Sequence, residues 1–392
     1  MAKVKNSSFS LRSLVLPALA FVLSMFIGGL FIALSDSNVL HKASHPLAFI
    51  KAAAASAGNA YLALFQGSVF DPGLAKPHQW YLTLGPLSET LVGAAPLILA
   101  GLSVALAFRA GLFNIGAQGQ FIFGAIGASY VGFHFHLPIG IHLLLAALAG
   151  MVLGSLYGGM VGLLKARTGA HEVIVTIMLN YIALYFLEWL LGTTAFLMPG
   201  RNDPIAPPVA NSARLPLLAG HNFRVNAGIL VALAAAVFVW WLLNRSTLGF
   251  KFRAAGANTF AAKTAGISVP FVMTTAMAVA GALAGLAGAV HVLGDNFQLT
   301  SGVGGNFGFD AITVALLGRA KPLGTVFASL LFGALGAGAA AMQAKTNTPI
   351  DLVLIIQALV VLFIAAPDVV KSIFRIKNLK VAGGLVSKGW NG

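Results

Sequence analysis

The strongest constraint in this sequence is a succession of apolar runs, each long enough to cross a bilayer. They fall at about 13–35, 81–108, 111–134, 138–164, 173–198, 227–243, 269–293, 322–342 and 350–366, with a shorter glycine-rich run near 306–318. A hydrocarbon core about 30 Å thick takes roughly 20 apolar residues of helix. A segment in that core must satisfy its own backbone polar groups, which a helix does. The expectation is an all-α membrane protein with about ten transmembrane helices, forming a single domain over residues 1–392. Charged residues make up 9% of the chain, against roughly 25% in soluble domains, which excludes one water-soluble core. The first run lacks a small-residue cleavage site and reads as an uncleaved span.

An even number of crossings puts both termini on one side, and the basic residues say which. With the spans above, Lys3, Lys5, Arg12, Arg109, Lys165, Arg167, Arg245, Lys251, Arg253, Lys263, Arg319, Lys321, Lys371, Arg375, Lys377, Lys380 and Lys388 share one side. Lys42, Lys51, Lys76, Arg201, Arg214, Arg224 and Lys345 share the other, a division of the 24 basic residues into 17 and 7. The positive-inside rule makes the richer side cytoplasmic. This holds only if 47–70 stays out of the membrane. That segment has Lys51, Asn59 and Gln66 among many alanines and reads as an amphipathic helix on the membrane surface, so 36–80 is assigned to the outer side. The net charge of +14 then follows from the same bias, and no nucleic-acid partner is needed. Cysteine is absent, which excludes disulfides and thiolate metal sites.

Two connecting segments are long enough to form structure of their own. Residues 199–226 contain five prolines and are expected to form an irregular outer loop. Residues 244–268 lie on the cytoplasmic side. There Asn258 is a plausible N-cap, Thr259 to Ala265 a two-turn helix and Gly266 its stop. So short a helix is marginal in water. Either it docks against a partner, with Ala257, Ala261, Ala262 and Ala265 permitting close approach, or it is a solvated turn.

The stretch "RAGLFNIGAQGQ" (109–120) is out of place between apolar runs. Its glycines at 111, 116 and 119 allow close backbone approach or a break in a helix. Irregular backbone at membrane depth survives only when buried in protein or lining a wet cavity. Asn114, Gln118 and Gln120 either line such a pathway or bridge helices. Asn180, in a later run, has the same two readings.

"GLFNIGAQGQ" (111–120) closely resembles the "GLFNIGAEGQ" signature of permease subunits of ABC importers of the branched-chain amino acid, ribose and nucleoside family. Three further motifs agree in order. "HEVIVTIMLNYIA" (171–183) resembles "NEVIxTIMLNYIA", and "FRAAGANTFAAKTAGI" (252–267) resembles the coupling segment "RAxGxNPxAAxxAGI". "GFDAITVALLGRAKPLGTVFASLLFGAL" (308–335) is similar to "GFDAIAVALLGxxxPxG". The long segment before the second span and "TIMLNYIA" favour the nucleoside subgroup, whose binding protein is a lipoprotein of the basic-membrane-protein type.

The resemblance implies a type II importer permease fold in a bacterial inner membrane. It implies a pathway carrying Asn114, Gly116, Gln118, Gly119, Gln120 and Asn180. It implies a segment carrying Arg253, Gly256, Asn258, Ala261, Ala262, Gly266 and Ile267 that couples to a cytoplasmic ABC ATPase. A second homologous permease and an external solute-binding lipoprotein or periplasmic protein complete the importer, with lipid around it. ATP and Mg would be held by the ATPase and no cofactor by this chain. Gln118 departs from the family's usual Glu, His171 from Asn and Thr259 from Pro.

The remaining candidates are weak. No GxxxxGK[ST] loop occurs, so the chain has no phosphate cradle of its own. His134 and His136 lack Cys, Asp or Glu neighbours of ligand spacing. Glu89, Glu188 and Asp310 are the acids most apt to fall within spans, where burial is expensive. An ion-coupled secondary transporter is the alternative reading; it needs an ion site and has no use for the Ala/Gly helix of 257–266.

Overall fold

The structure, a computed structural model, describes residues 12–375. Lys3, Lys5, Lys377, Lys380 and Lys388 of the charge division, and both termini, lie outside the described residues. Fifteen α-helices follow in order: α1 (Arg12–Ser35), α2 (Ser37–Leu40), α3 (Pro46–Ser68), α4 (Gly85–Arg109), α5 (Ala117–His134), α6 (Ile141–Thr168), α7 (Glu172–Leu191), α8 (Gly228–Arg245), α9 (Thr247–Ala257), α10 (Thr259–Thr264), α11 (Val269–His291), α12 (Phe307–Leu317), α13 (Pro322–Thr346), α14 (Asp351–Ala365) and α15 (Pro367–Ile373). The described residues contain no β-strand beyond two isolated bridges, Ile205 with Thr300 and Leu217 with Asn226.

Each of the ten apolar runs contains a helix. Among the described residues eight helices are long and apolar enough to cross a membrane, or nine if α14 and α15, bent by 92°, form one broken span. α3 is among the eight, whereas α5 and α12 are not. The expected span at 111–134 begins only at Ala117, because 110–116 is irregular and the first turn of the helix holds two glutamines. α12 has 11 residues. The run at 173–198 ends early, at Leu191.

The chain divides into two units, Gly73–Ala334 and the residues before and after it. In Gly73–Ala334 the centre is a backbone-to-backbone seam of α6 and α11. Gly150, Gly154, Gly158 and Gly162 recur every fourth residue and so lie on one face of α6. A methyl on Gly158 would meet the Met277 carbonyl at 2.5 Å, one on Gly162 the Met273 carbonyl at 2.7 Å, and one on Gly154 the Cα of Gly285 at 2.6 Å. Gly124 of α5 closes on Gly285 in the same way. With no hydrophobic drive between helices in lipid, such small-residue contacts are what lets them pack. Outward faces carry large apolar side chains, among them Leu148, Val152 and Leu156 of α6 and Tyr185 and Trp189 of α7.

In the other unit α1 and α14 run antiparallel. Gly28 lies under Ile356, while Leu16 and Ala20 cluster with Phe363 and Val370. α3 packs on α1 through the Tyr61 hydroxyl, which donates to the Met25 carbonyl, and through Ser56 Oγ, which donates to Asp36 at 2.7 Å just past the end of α1. Lys345, near the end of α13, donates to Gln66 at 2.8 Å and to Asp71 at 2.7 Å. Only 347–350 separate α13 from α14. α3 thus packs on α1 from Asp36 back to Met25, and its last turns lie against α13, with Gly67 on Ala341 and Leu64 on Gly338.

Candidate functional site

α4 ends in a left-handed glycine. Gly111 has φ +74°, and the Leu112 amide reaches back to the Ala107 carbonyl at 2.9 Å, the Schellman closure of a helix. The chain then runs irregularly beside α4. Asn114 Nδ2 donates to Ser103 Oγ at 3.2 Å, six residues and so about 9 Å along the helix from Arg109. Asn114 and Gln120 pair reciprocally, Asn114 Nδ2 to Gln120 Oε1 at 2.8 Å and Gln120 Nε2 to Asn114 Oδ1 at 3.0 Å. Both are wholly buried.

Asn180 of α7 joins this knot from another helix. Its Oδ1 accepts from the Gly119 amide at 2.9 Å and its Nδ2 donates to the Ile115 carbonyl at 3.0 Å. Gly116 is the N-cap of α5 and has no side chain to offer the free amides of the first turn, so Asn180 supplies the missing acceptor. Gly116 lies against Thr176, and Gly119 lies against Tyr157.

Gln118 faces a second break. α11 ends in a π-turn at Val292–Asn296, Phe297 takes φ +53°, and no helix resumes until Phe307. Gln118 Nε2 donates to the carbonyls of Gly304 and Gly305, both at 2.9 Å, and Gln118 Oε1 accepts from the Gly308 amide at 2.6 Å. An amide both donates and accepts, which suits Gln118 to a gap in the helical ladder that leaves both kinds of backbone group open. The polar groups of "RAGLFNIGAQGQ" therefore hold two irregular segments together. All four amides are internally bonded and none faces an open surface.

The coupling segment begins with a helix the sequence reading missed. α9 (Thr247–Ala257) is capped by Ser246, whose Oγ accepts from the Gly249 amide at 2.9 Å. α10 is the expected short helix. Asn258 Oδ1 accepts from the Ala261 amide at 3.0 Å, and Gly266 at φ +79° ends it, with the Ile267 amide closing on the Ala262 carbonyl at 3.0 Å. Two residues of the expected coupling set touch the rest of the chain, one of them buried and one at the surface. Ala262 is 3% exposed and belongs to the chain's own core. Gly256 packs against the turn after α4. A methyl on it would meet the Arg109 carbonyl at 2.5 Å and the Gly111 nitrogen at 2.8 Å. Arg253, Gly256, Asn258, Ala261 and Gly266 are exposed and Ile267 is half-buried. Phe260, 82% exposed, is the most prominent side chain of α10.

Gly111 and Gly256 thus bring two distant motifs into backbone contact. Arg109 Nε adds a third by donating to the Ala320 carbonyl at 2.9 Å. At the opposite end of α4, Arg224 pairs with Glu89 at 2.9 Å and with Asp295, Val225 donates to Ser88 Oγ at 2.7 Å, and Asn226 Nδ2 donates to the Gly294 carbonyl at 2.7 Å. The proline-rich segment is irregular apart from one 3-10 turn, but it is docked. Ala206, Val209 and Leu215 donate along the chain after α11, to Leu299, Phe297 and Leu293 at 2.9–3.0 Å. Glu89 therefore serves an ion pair, Glu188 is exposed, and Asp310 caps nothing. No group of three His, Cys, Asp or Glu residues that could hold a metal occurs among the described residues.

A family model described as "Branched-chain amino acid transport system / permease component" matches residues 87–365. The guanosine ABC transporter permease protein NupP of Bacillus subtilis is 41% identical over 300 residues, 76% of this chain and 85% of that one. The nucleoside ABC transporter permease protein NupB of Lactococcus lactis is 36% identical, over 77% of this chain and 85% of its own. The glucose ABC transporter permease protein TsgB13 of Haloferax volcanii is also 36% identical, over 73% and 77% respectively. No solved structure matches. The match covers both backbone breaks, the Gly111–Gly256 contact and the α9–α10 segment, and the chain belongs to the family of branched-chain amino acid transport system permease components.

Proposed function

We propose that the chain is the membrane-spanning permease subunit of an ATP-driven importer and passes a nucleoside, or next a sugar, from an external binding protein to the cytoplasm. The observation that carries this is the Gly111–Gly256 contact. It ties the exposed α9–α10 segment to the turn that leads into the amide-held break at 112–120, so a push on α10 reaches that break through backbone. The relatives' nucleosides and glucose supply the solute class. Asn114, Gly116, Gln118, Gly119, Gln120 and Asn180 shape the pathway wall from behind.

In this reading the Arg109 end of α4 is cytoplasmic, with both termini, and 199–226 is outside, as the basic residues require. α3 lies on the outer membrane surface, the placement that keeps the basic residues richer on the cytoplasmic side. A cytoplasmic ABC ATPase holds ATP and Mg and seats α10, and a second homologous permease closes the pathway. The chain sits as a multi-pass protein in a bacterial inner membrane.

The test is uptake of tritiated guanosine by cells expressing the whole importer. The permease reading predicts uptake that survives a protonophore while ATP is maintained and stops when the ATPase is inactivated. Uptake that collapses with the proton gradient and ignores the ATPase would establish the secondary carrier.

A further inference from the structure

α12 is a half-span. Its 11 residues rise about 16 Å, roughly half of a 30 Å hydrocarbon core. The turn that follows it, where the Ala320 amide closes on the Ala315 carbonyl at 2.8 Å, is tied to the end of α4 by Arg109. The first turn of α12 therefore sits near mid-membrane, where the chain before it is not helical. Gly308, Ala311, Val314 and Ala315 form its buried face. Asn306, Phe309, Asp310 and Thr313, at spacings of three, four and seven, share another face. Asn306 is exposed, Phe309 is 52% exposed, and Asp310 and Thr313 are half-buried.

The amides of the neighbouring segments are all internally bonded, but this face is not. The side chains of Asn306, Asp310 and Thr313 make no hydrogen bond or ion pair with any described residue. A carboxylate, an amide and a hydroxyl beside irregular backbone at this depth cannot be left to lipid. They face protein or water. Broken helices meeting at the membrane midplane are where transporters place solutes, and an exposed ring beside hydrogen-bonding groups suits a solute with a flat base or an apolar sugar face.

We infer that the face formed by Asn306, Phe309, Asp310 and Thr313 is a solute-contacting subsite of the pathway, taking a neutral ring compound rich in hydroxyl or N–H donors, of the nucleoside or sugar class. Asp310 and Asn306 accept hydrogen bonds from the solute and Phe309 packs on its ring. The inference rests on the permease reading.

The whole importer is the test object. The chain has no cysteine of its own, so Asn306→Cys introduces a single thiol. The charged reagent 2-aminoethyl methanethiosulfonate should block tritiated-guanosine uptake by that variant, and excess unlabelled guanosine should slow the block severalfold. Phe238→Cys, on the exposed apolar face of α8, should not react. Asp310→Asn should raise the KM for guanosine about tenfold, the loss of one good hydrogen bond, with ATPase co-purification unchanged. Phe309→Ala should raise it too, and Phe309→Tyr should restore it. An unreactive Asn306→Cys in a transporting importer overturns the inference alone, as does a reaction that guanosine does not slow together with an unchanged KM in Asp310→Asn. Loss of permease pairing in Asp310→Asn would make the face a subunit contact and also overturn it. An unsubstituted importer that moves no guanosine, ribose or glucose sinks the permease reading and the inference with it.

Discussion

Asn114 and Gln120 answer each other with both halves of each amide, which couples the costs of truncating them. Asn114→Leu leaves the Gln120 amide buried without its partner, at about 1–3 kcal/mol. Removing both amides, in Asn114→Leu with Gln120→Leu, should cost less than the sum of the two singles. Thermal unfolding of the purified protein in detergent measures this, and strict additivity would mean that the pair is not coupled. Asn180→Ala removes both the acceptor for Gly119 and the donor to Ile115 and should cost about 1–2 kcal/mol, in the range of a lost helix cap. That these amides matter is legible in the sequence, because polar groups in an apolar run must be satisfied somewhere. Their partners are not legible: Gln118 binds backbone nearly two hundred positions further along the chain, and nothing local marks Gly304, Gly305 or Gly308 as its target. Ala262 shows the other failure. On a two-turn helix it reads the same as Ala261, but only Ala261 is exposed.

At the scale of elements, apolar length found a helix in every run, and the Asn258 and Gly266 signals bounded α10 to within a residue. Those are local rules. What they missed has local traces too faint to decide. α9 has a Ser246 cap and an apolar face of Gly249, Phe252 and Ala255, but Lys251, Arg253 and two glycines break up its apolar pattern. The gap before α12 fell between two apolar runs, whereas length reckoning counted 111–116 inside a span because that backbone is satisfied from outside the segment. The seam of α6 and α11 was visible only as glycine-rich runs that looked like ordinary spans. It predicts a contrast between neighbours. Gly158→Ala puts a methyl 2.5 Å from the Met277 carbonyl, whereas Gly159→Ala puts one in ordinary contact with Ala278 at 3.4 Å. The first should force the helices apart and lower the yield of folded protein. The second should be neutral, or stabilising by up to about 1 kcal/mol through lost chain entropy. Size-exclusion profiles of the two detergent-solubilised variants compare them directly, and equal behaviour would contradict the seam.

For the whole molecule, orientation and coupling are the two claims that stand or fall together. The charge division puts 199–226 outside and 244–268 inside. An impermeant thiol reagent applied to intact cells should label Ala219→Cys, which is exposed in the outer segment, and spare Thr259→Cys, which is exposed at the start of α10; the reverse pattern would invert the topology. The central claim, that an ATPase grips this chain at α10 and moves it, is tested most directly by Ala261→Glu. Ala261 is exposed beside Phe260 and outside the chain's own core, so the variant should insert and fold normally, as Ala262→Glu would not. A buried charge without a partner in the ATPase groove is strongly unfavourable. The ATPase should therefore fail to co-purify with the variant, or hydrolyse ATP without guanosine uptake. Normal co-purification together with normal uptake would contradict the account.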